Sequence, residues 1–312
     1  MVNLDNSSLF EFCAIHYPFY EKRALVITED GSHSIEDYCR YIQRHQIESA
    51  DIAVSDLTFL KDCVSLKHIH VTPSWNATDA FSFSPLYSLP LRSLHCINSY
   101  GSTDQYKAEI DYSHFHELEE LTTDVNAATH NFHNLPSLKS LIIGGFDGEN
   151  RDLSDLFCSE QLDTLRLIEG QFHSLNGIER SKRMQCVYLQ RNRGLRDISA
   201  LRTCKHTLKT LRIENCPKIE DFSVLGELEQ LELLHLTGSN VLPDLDFLNH
   251  MKNLKTFVFN VNILDGDLSP CLRLSYVSLG KNRKHYNLKD KDLPKGPYIR
   301  GNETIETWRR LE

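Results

Sequence analysis

Three histidines are the first residues whose type and spacing suggest chemistry. His68 and His70 stand two apart in LKHIHV, so an extended backbone sets both on one face. His95 holds the matching place in the next similar stretch, LRSLHC, about 5 Å from His70 if the two stretches pair as strands. Three imidazoles can ligate zinc. No carboxylate or thiolate is evidently placed to complete such a shell, because Cys63 falls ahead of the strand. With 15 histidines in the chain, proximity by chance is expected. Chance proximity is therefore the first reading, a pH-responsive contact surface ranks ahead of a metal site, and no metal or cofactor is assigned. The catalytic patterns GxSxG and HExxH, the P-loop and the dinucleotide glycine fingerprint are absent from the sequence. Its one pair of adjacent glycines, Gly144 and Gly145, ends an apolar run with no helix pattern after it. The expectation is a protein that is not an enzyme.

The elements that position these residues are repeats. LKTLRIENCPKIEDFSVLGELEQ (208–230) is followed by LELLHLTGSNVLPDLDFLNHMKN (231–253) and by a third start at 254. Apolar residues recur at positions 1, 4 and 6: Leu208, Leu211 and Ile213; Leu231, Leu234 and Leu236; Leu254, Phe257 and Phe259. Positions 4 and 6 leave one face of a short strand. A lone strand and turn cannot bury that face, whereas stacked copies bury one continuous core. Position 1 runs Leu66, Leu91, Leu118, Leu138, Leu162, Met184, Leu208, Leu231, Leu254 and Leu274, at intervals of 20 to 27 residues. Position 9 is Asn or Cys at Asn126, Asn192, Cys216, Asn262 and Asn282. Elsewhere it is Ser74, Ser99, Phe146, Gly170 or Ser239.

This pattern, LxxLxLxxN/C at a period of about 20–29 residues, resembles the leucine-rich repeat family over residues 47–282. The segments that begin Asp56-Leu57, Asp152-Leu153, Asp197-Ile198, Asp221-Phe222 and Asp244-Leu245 resemble the short returns of internalin-like and phosphatase-regulating repeats. The resemblance implies a curved α/β repeat solenoid, a horseshoe with a parallel sheet on its concave face and 3-10 or irregular returns. It also implies an inward-turned position 9 that bonds the backbone, and binding of a protein partner through the concave face and its loops. Each Asp is expected to cap a turn.

The domain reading has three parts. Residues 1–46 are an N-terminal cap, with a strand over 23–28 and a helix begun by Ser34 and Asp37 that gathers Ile35, Tyr38, Cys39 and Ile42 on one face. Residues 47–282 hold about eleven units, and 283–312 form a C-terminal cap with a basic tail. A short helix over 303–311 with Trp308 covers the last repeat in this reading.

Positions 3, 5 and 7 of each strand point away from the core, onto the concave face. The outward residues singled out as partner contacts are His68, His70, His95, Glu120, Asp124, Arg166, Tyr188, Arg212, Glu214 and His235. The repeats opened by Leu66 and Leu91 are stretched and rich in aromatics: Trp75, Phe81, Phe83, Tyr87, Tyr100, Tyr106, Tyr112 and Phe115. Insertions in repeat proteins go to loops on one face. Trp75, Phe81 and Phe83 are therefore candidate anchors, the alternative being rings packed under the loops.

Net charge is −9, divided unevenly: residues 1–150 carry 9 Lys/Arg and 21 Asp/Glu. That acidity disfavours nucleic acid and suits a basic protein partner. Residues 281–300 reverse it with seven Lys/Arg against two Asp, which leaves a nucleic-acid tail as a weaker alternative. No apolar run is long enough to span a membrane, and the N-terminus does not read as a secretion signal. Nine cysteines without a CxxC pair point to a reducing compartment, so a cytoplasmic monomer is expected. The functional expectation is a non-catalytic protein-binding module. Its more specific forms are an immunity or inhibitor protein against a basic toxin or enzyme, and a regulatory subunit of an enzyme such as a phosphatase.

Overall fold

The computed structural model describes residues 10–16, 21–29, 31, 33–72, 81–96, 108–125, 129–133, 135–156 and 159–298. Trp75, Tyr100, Tyr106, the turn residue Asn126 and the expected helix over 303–311 with Trp308 lie outside these.

One sheet of thirteen strands runs the length of the molecule in chain order. It holds β1 (Phe12–His16), β2 (Glu21–Thr28), β3 (Ser49–Ala53), β4 (His68–Val71), β5 (Ser93–Cys96), β7 (Glu120–Asp124) and β9 (Ser140–Gly144). It continues through β10 (Thr164–Ile168), β11 (Cys186–Gln190), β12 (Thr210–Glu214), β13 (Leu233–Thr237), β15 (Thr256–Phe259) and β17 (Tyr276–Leu279). Only β1 is antiparallel to its neighbour; from β2 onward every pairing is parallel. Two short parallel pairs sit on the returns, β6 (Ile110–Asp111) with β8 (Thr129–His130) and β14 (Val241–Leu242) with β16 (Asn262–Ile263). This is the expected curved solenoid.

The leucines at positions 1, 4 and 6 stack repeat upon repeat into one continuous core, each buried. Sequential strands must all run the same way, because each repeat returns along the opposite side before the next strand starts. Most returns carry a 3-10 turn, and α1 (Ile35–His45) is the one α-helix among the described residues. It starts as expected: Ser34 caps it, Asp37 closes the capping box, and Tyr38 and Ile42 are its buried face.

The turn-capping aspartates also stand. Asp56, Asp152, Asp197, Asp221 and Asp244 each accept the backbone N–H two residues on, at 2.8–2.9 Å. Asp111 and Asp267 do the same for Ser113 and Ser269, which extends the device to two returns that the spacing rule passed over. Hydrogen bonds from the serines two residues on hold Asp221 and Asp267 below the usual carboxylate range.

The position-9 ladder is real but shifts register. Buried Asn192 accepts the Gly170 N–H at 2.8 Å and donates to the Leu167 carbonyl at 2.9 Å. The Cys216 thiol points at the Leu189 carbonyl at 3.7 Å. In the next repeat Ser239 does not break the ladder, because Asn240, one residue later, donates to the carbonyls of Cys216 and Ile219 at 3.0 and 2.9 Å. Asn282 departs the other way: it is exposed and accepts the Asp290 N–H instead. A left-handed residue follows the strand in five consecutive repeats: Gly145, Glu169, Arg191, Asn215 and Gly238. That conformation turns the chain off the sheet, and its cost for Glu169 and Arg191 is offset by N–H bonds to the next strand.

Candidate functional site: the concave face of the sheet

The strand register lines up position 5 across the whole face. Asp51, His70, His95, Thr122, Ile142, Arg166, Tyr188, Arg212, His235 and Val258 are successive neighbours. Adjacent members are one strand spacing apart, so each side chain touches the next. Two groups of charged and aromatic residues form, separated by Thr122 and Ile142.

The first group spans β3 to β7. The His70 Nδ1 lies 2.9 Å from Asp51 Oδ1, and the His70 and His95 rings are 4.3 Å apart, centre to centre. The Cys13 thiol reaches the other Asp51 oxygen at 3.4 Å. Burial first, then the neighbouring His70, drives the His95 pKa down to about 3. Burial alone would raise Asp51, but bonding to His70 and the Cys13 thiol outweighs it and holds the carboxyl below its ordinary value. The same contact, added to burial, pushes the Cys13 thiol up to about 11.

His68 belongs to a different row. Its Nδ1 lies 2.9 Å from the Ser93 hydroxyl, which donates to Glu120 at 3.0 Å. The three histidines therefore divide between two hydrogen-bonded rows. Among the described residues, no three His, Cys, Asp or Glu side chains are grouped to hold a metal ion. Asp51 was not among the residues singled out in the sequence. Its signal was present, because it holds the position-5 place of the first, atypical repeat.

The second group spans β10 to β13 and brings Arg166, Tyr188, Arg212, Glu214 and His235 together. Two guanidinium carbons lie over the Tyr188 ring, Arg166 at 4.4 Å and Arg212 at 5.3 Å from its centre. The Tyr188 hydroxyl donates to Glu214 Oε2, and His235 Nδ1 is 3.4 Å from Glu214 Oε1. Arg166 donates to Gln190 at 2.7 Å. Tyr188 is 1% exposed and Arg212 is 4% exposed. Arg212 buries Nε and Nη1 with no hydrogen-bond acceptor for either. Burial and the Glu214 carboxylate push the Tyr188 hydroxyl above the usual tyrosine range, and burial pushes the adjacent Cys186 thiol up to about 12.

Pointing away from the core does not mean meeting solvent, most consistently at position 3. Of this row His68, Ser93, Ser140, Thr164, Cys186, Thr210, Leu233 and Thr256 are buried, although they lie on the concave side. Side chains on the inside of a curved sheet converge, and the small ones are covered by larger neighbours. The expected aromatic anchors are corrected. Phe81 and Phe83 pack edge to face with centres 5.2 Å apart and join the core, as do Tyr112 and Phe115. The stretched repeats have extra interior to fill, and these rings fill it. Glu120 and Asp124 do lie on the concave face, at positions 3 and 7 of β7.

No protein-family model matches the sequence. No curated protein matches it either. Solved structures do share the fold. An internalin (inlF) of Listeria monocytogenes superposes with TM-score 0.54 at 19% identity, over 76% of this chain and 67% of its own. TLR13 from its ssRNA13 complex gives 0.52 at 18%, over 80% of this chain, and Toll from the Toll–Spatzle complex of Drosophila gives 0.50 at 14%, over 83%. The chain spans 45% of the TLR13 chain and 37% of the Toll chain. No helix among the described residues is long and apolar enough to cross a membrane.

Proposed function

We propose that this leucine-rich-repeat solenoid is a non-catalytic protein-binding module whose concave face is the docking surface. The observation that carries the reading is the group formed by Arg166, Tyr188, Arg212, Glu214 and His235. Arg166 and His235 are its partly exposed members, and the buried Tyr188 ring and Arg212 beside them hold the group rigid before any partner arrives, so little side-chain entropy is lost on docking. Tyrosine and arginine are also the residue types that dominate interface energetics.

The first group supplies the other half of the docking chemistry. Asp51, Glu120 and Asp124 give the N-terminal part of the face its carboxylates, in the half of the chain that carries the acidic excess. A partner with a basic patch fits there, which supports an inhibitor or immunity protein acting on a basic toxin or enzyme. The eight described cysteines are all free and most are buried, which supports a reducing, cytoplasmic setting.

The test is capture of partners by the tagged full chain from its native lysate, repeated with Arg212→Met and with Glu120→Lys/Asp124→Lys. A stoichiometric protein lost in both variants supports docking across both groups. A protein retained by both would move the site off the concave face and sink the proposal.

A further inference from the structure

The edge of the solenoid where the strands begin carries a ladder of ion pairs at position 2. Lys67 pairs with Glu48, Arg92 and Lys139 both pair with Glu119, and Lys255 pairs with Glu232. Each basic residue finds a carboxylate in an adjacent repeat. The ladder is interrupted between Lys139 and Glu232. Lys209 has Gln185 as its β11 neighbour at this position, while Glu232 on its other side is engaged by Lys255. Lys209 forms no hydrogen bond or ion pair through its ammonium group among the described residues.

A cavity of about 300 Å³ opens at this rung, lined by Lys182, Arg183, His206, Lys209, Gln185 and Gln230. Three successive repeats contribute, and every charged group in the lining is basic. Lys182, Arg183 and the His206 ring are already held in place. The Lys182 ammonium donates to the Glu179 carbonyl at 3.0 Å, Arg183 donates to the Gln161 side chain, and His206 lies 3.4 Å from Glu229. The carboxylates nearest the cavity are Glu229, which Lys205 also approaches, and Asp163, which faces Arg183. Neither lines it. The core gains nothing from this concentration of like charge, because position 2 does not face it.

We propose that this cavity is an anion site that takes a phosphate-type dianion carried on a small molecule. Lysine ammonium groups, a guanidinium fork and two amides give donors on several sides, which suits a tetrahedral oxyanion better than a planar carboxylate. The volume is that of a small-ligand pocket. The acidic charge of the chain as a whole works against a long polyanion, so a single phosphate or diphosphate group is the matching class.

The probe is inorganic pyrophosphate, titrated into the purified full chain at fixed ionic strength and followed by calorimetry and by amide NMR. Binding is expected with a Kd below about 1 mM, with shifts centred on residues 182–185, 206–209 and 230, and with a rise in Tm as ligand is added. Lys182→Gln/Lys209→Gln should weaken binding at least tenfold and leave the Tm without anion unchanged or higher. The substitutions leave the concave face intact, so partner capture through it should be unaffected. Absence of binding at about 10 mM pyrophosphate, or equal binding by the double variant, would overturn the assignment. Shifts spread over all basic surfaces would overturn it as well.

Discussion

The two groups on the concave face use the same strand register and reach opposite electrostatic solutions. Around β3 to β7 an aspartate and two imidazoles sit side by side, and burial keeps His95 uncharged. Around β10 to β13 two guanidinium groups flank a tyrosine whose hydroxyl bonds a carboxylate, and burial keeps Tyr188 and Cys186 in their protonated, neutral forms. His95 therefore makes the first group sensitive to acid, while Tyr188 and Cys186 of the second group, and Cys13 of the first, are sensitive to alkali.

The largest expected effect belongs to the second group. Glu214→Ala removes the carboxylate that joins Tyr188 and His235 beside two arginines, and should cost about 3 kcal/mol in urea denaturation. Arg212→Met should behave oppositely, because two of its nitrogens are buried without acceptors. Its stability should stay within about 1 kcal/mol of wild type. If both variants lose the same amount, the group is not organised around the carboxylate.

Next in size is the acid response of the first group. The folded His95 pKa is about 3 and the unfolded value about 6.5, so between these pH values only the unfolded chain takes up the proton. Stability should fall as pH drops from about 6.5 towards 3, by at most about 1.4 kcal/mol per unit for this proton. Asp51, with its folded pKa depressed, adds a further loss only as pH falls below the ordinary carboxylate range. His95→Gln should flatten the upper part of this limb in chemical denaturation across pH.

The alkaline counterpart is a Tyr188→Phe comparison. The hydroxyl is raised above its ordinary value in the folded state, so its own contribution is intact below about pH 10 and lost above it, where the unfolded tyrosine ionises; the raised thiols of Cys186 and Cys13 begin their loss at lower pH, where unfolded thiols ionise. Tyr188→Phe should remove the tyrosine's part of the alkaline loss, leave the part due to the thiols, and leave the acid limb unchanged. An alkaline limb identical to wild type would show that Tyr188 does not contribute to it.

The smallest effect is expected at the strand-start edge. Arg92→Ala or Lys139→Ala breaks an exposed pair with Glu119 and should change stability by no more than about 1 kcal/mol. A larger loss in thermal denaturation would mean that the edge ladder, and not only the core, holds neighbouring repeats together.

Much of this was legible in the sequence. The leucine spacing identified strand, core and repeat, because a period-2 strand that must stack has few other solutions. The Asp two residues before each return turn gave its cap, because an aspartate oxygen reaches that N–H from that spacing alone. Local rules failed where the geometry of a neighbouring repeat mattered. Ser239 looked like a gap in the ladder, yet Asn240, at the next position, bonds two other carbonyls of the preceding turn, those of Cys216 and Ile219. Phe81 and Phe83 looked like loop anchors, yet the interior of a stretched repeat takes them in.

By itself, then, the sequence determined which residues face the core and which face the concave side. That depends on alternation along one chain segment, which is a property of the strand. Only the tertiary structure decided what the concave residues do. Whether His68 turns to Ser93 or to His70, or Tyr188 lies between two arginines, depends on strands some 25 residues apart meeting in register. The curvature that covers position 3, and the missing carboxylate beside Lys209, likewise arise between repeats and are written in no single one of them.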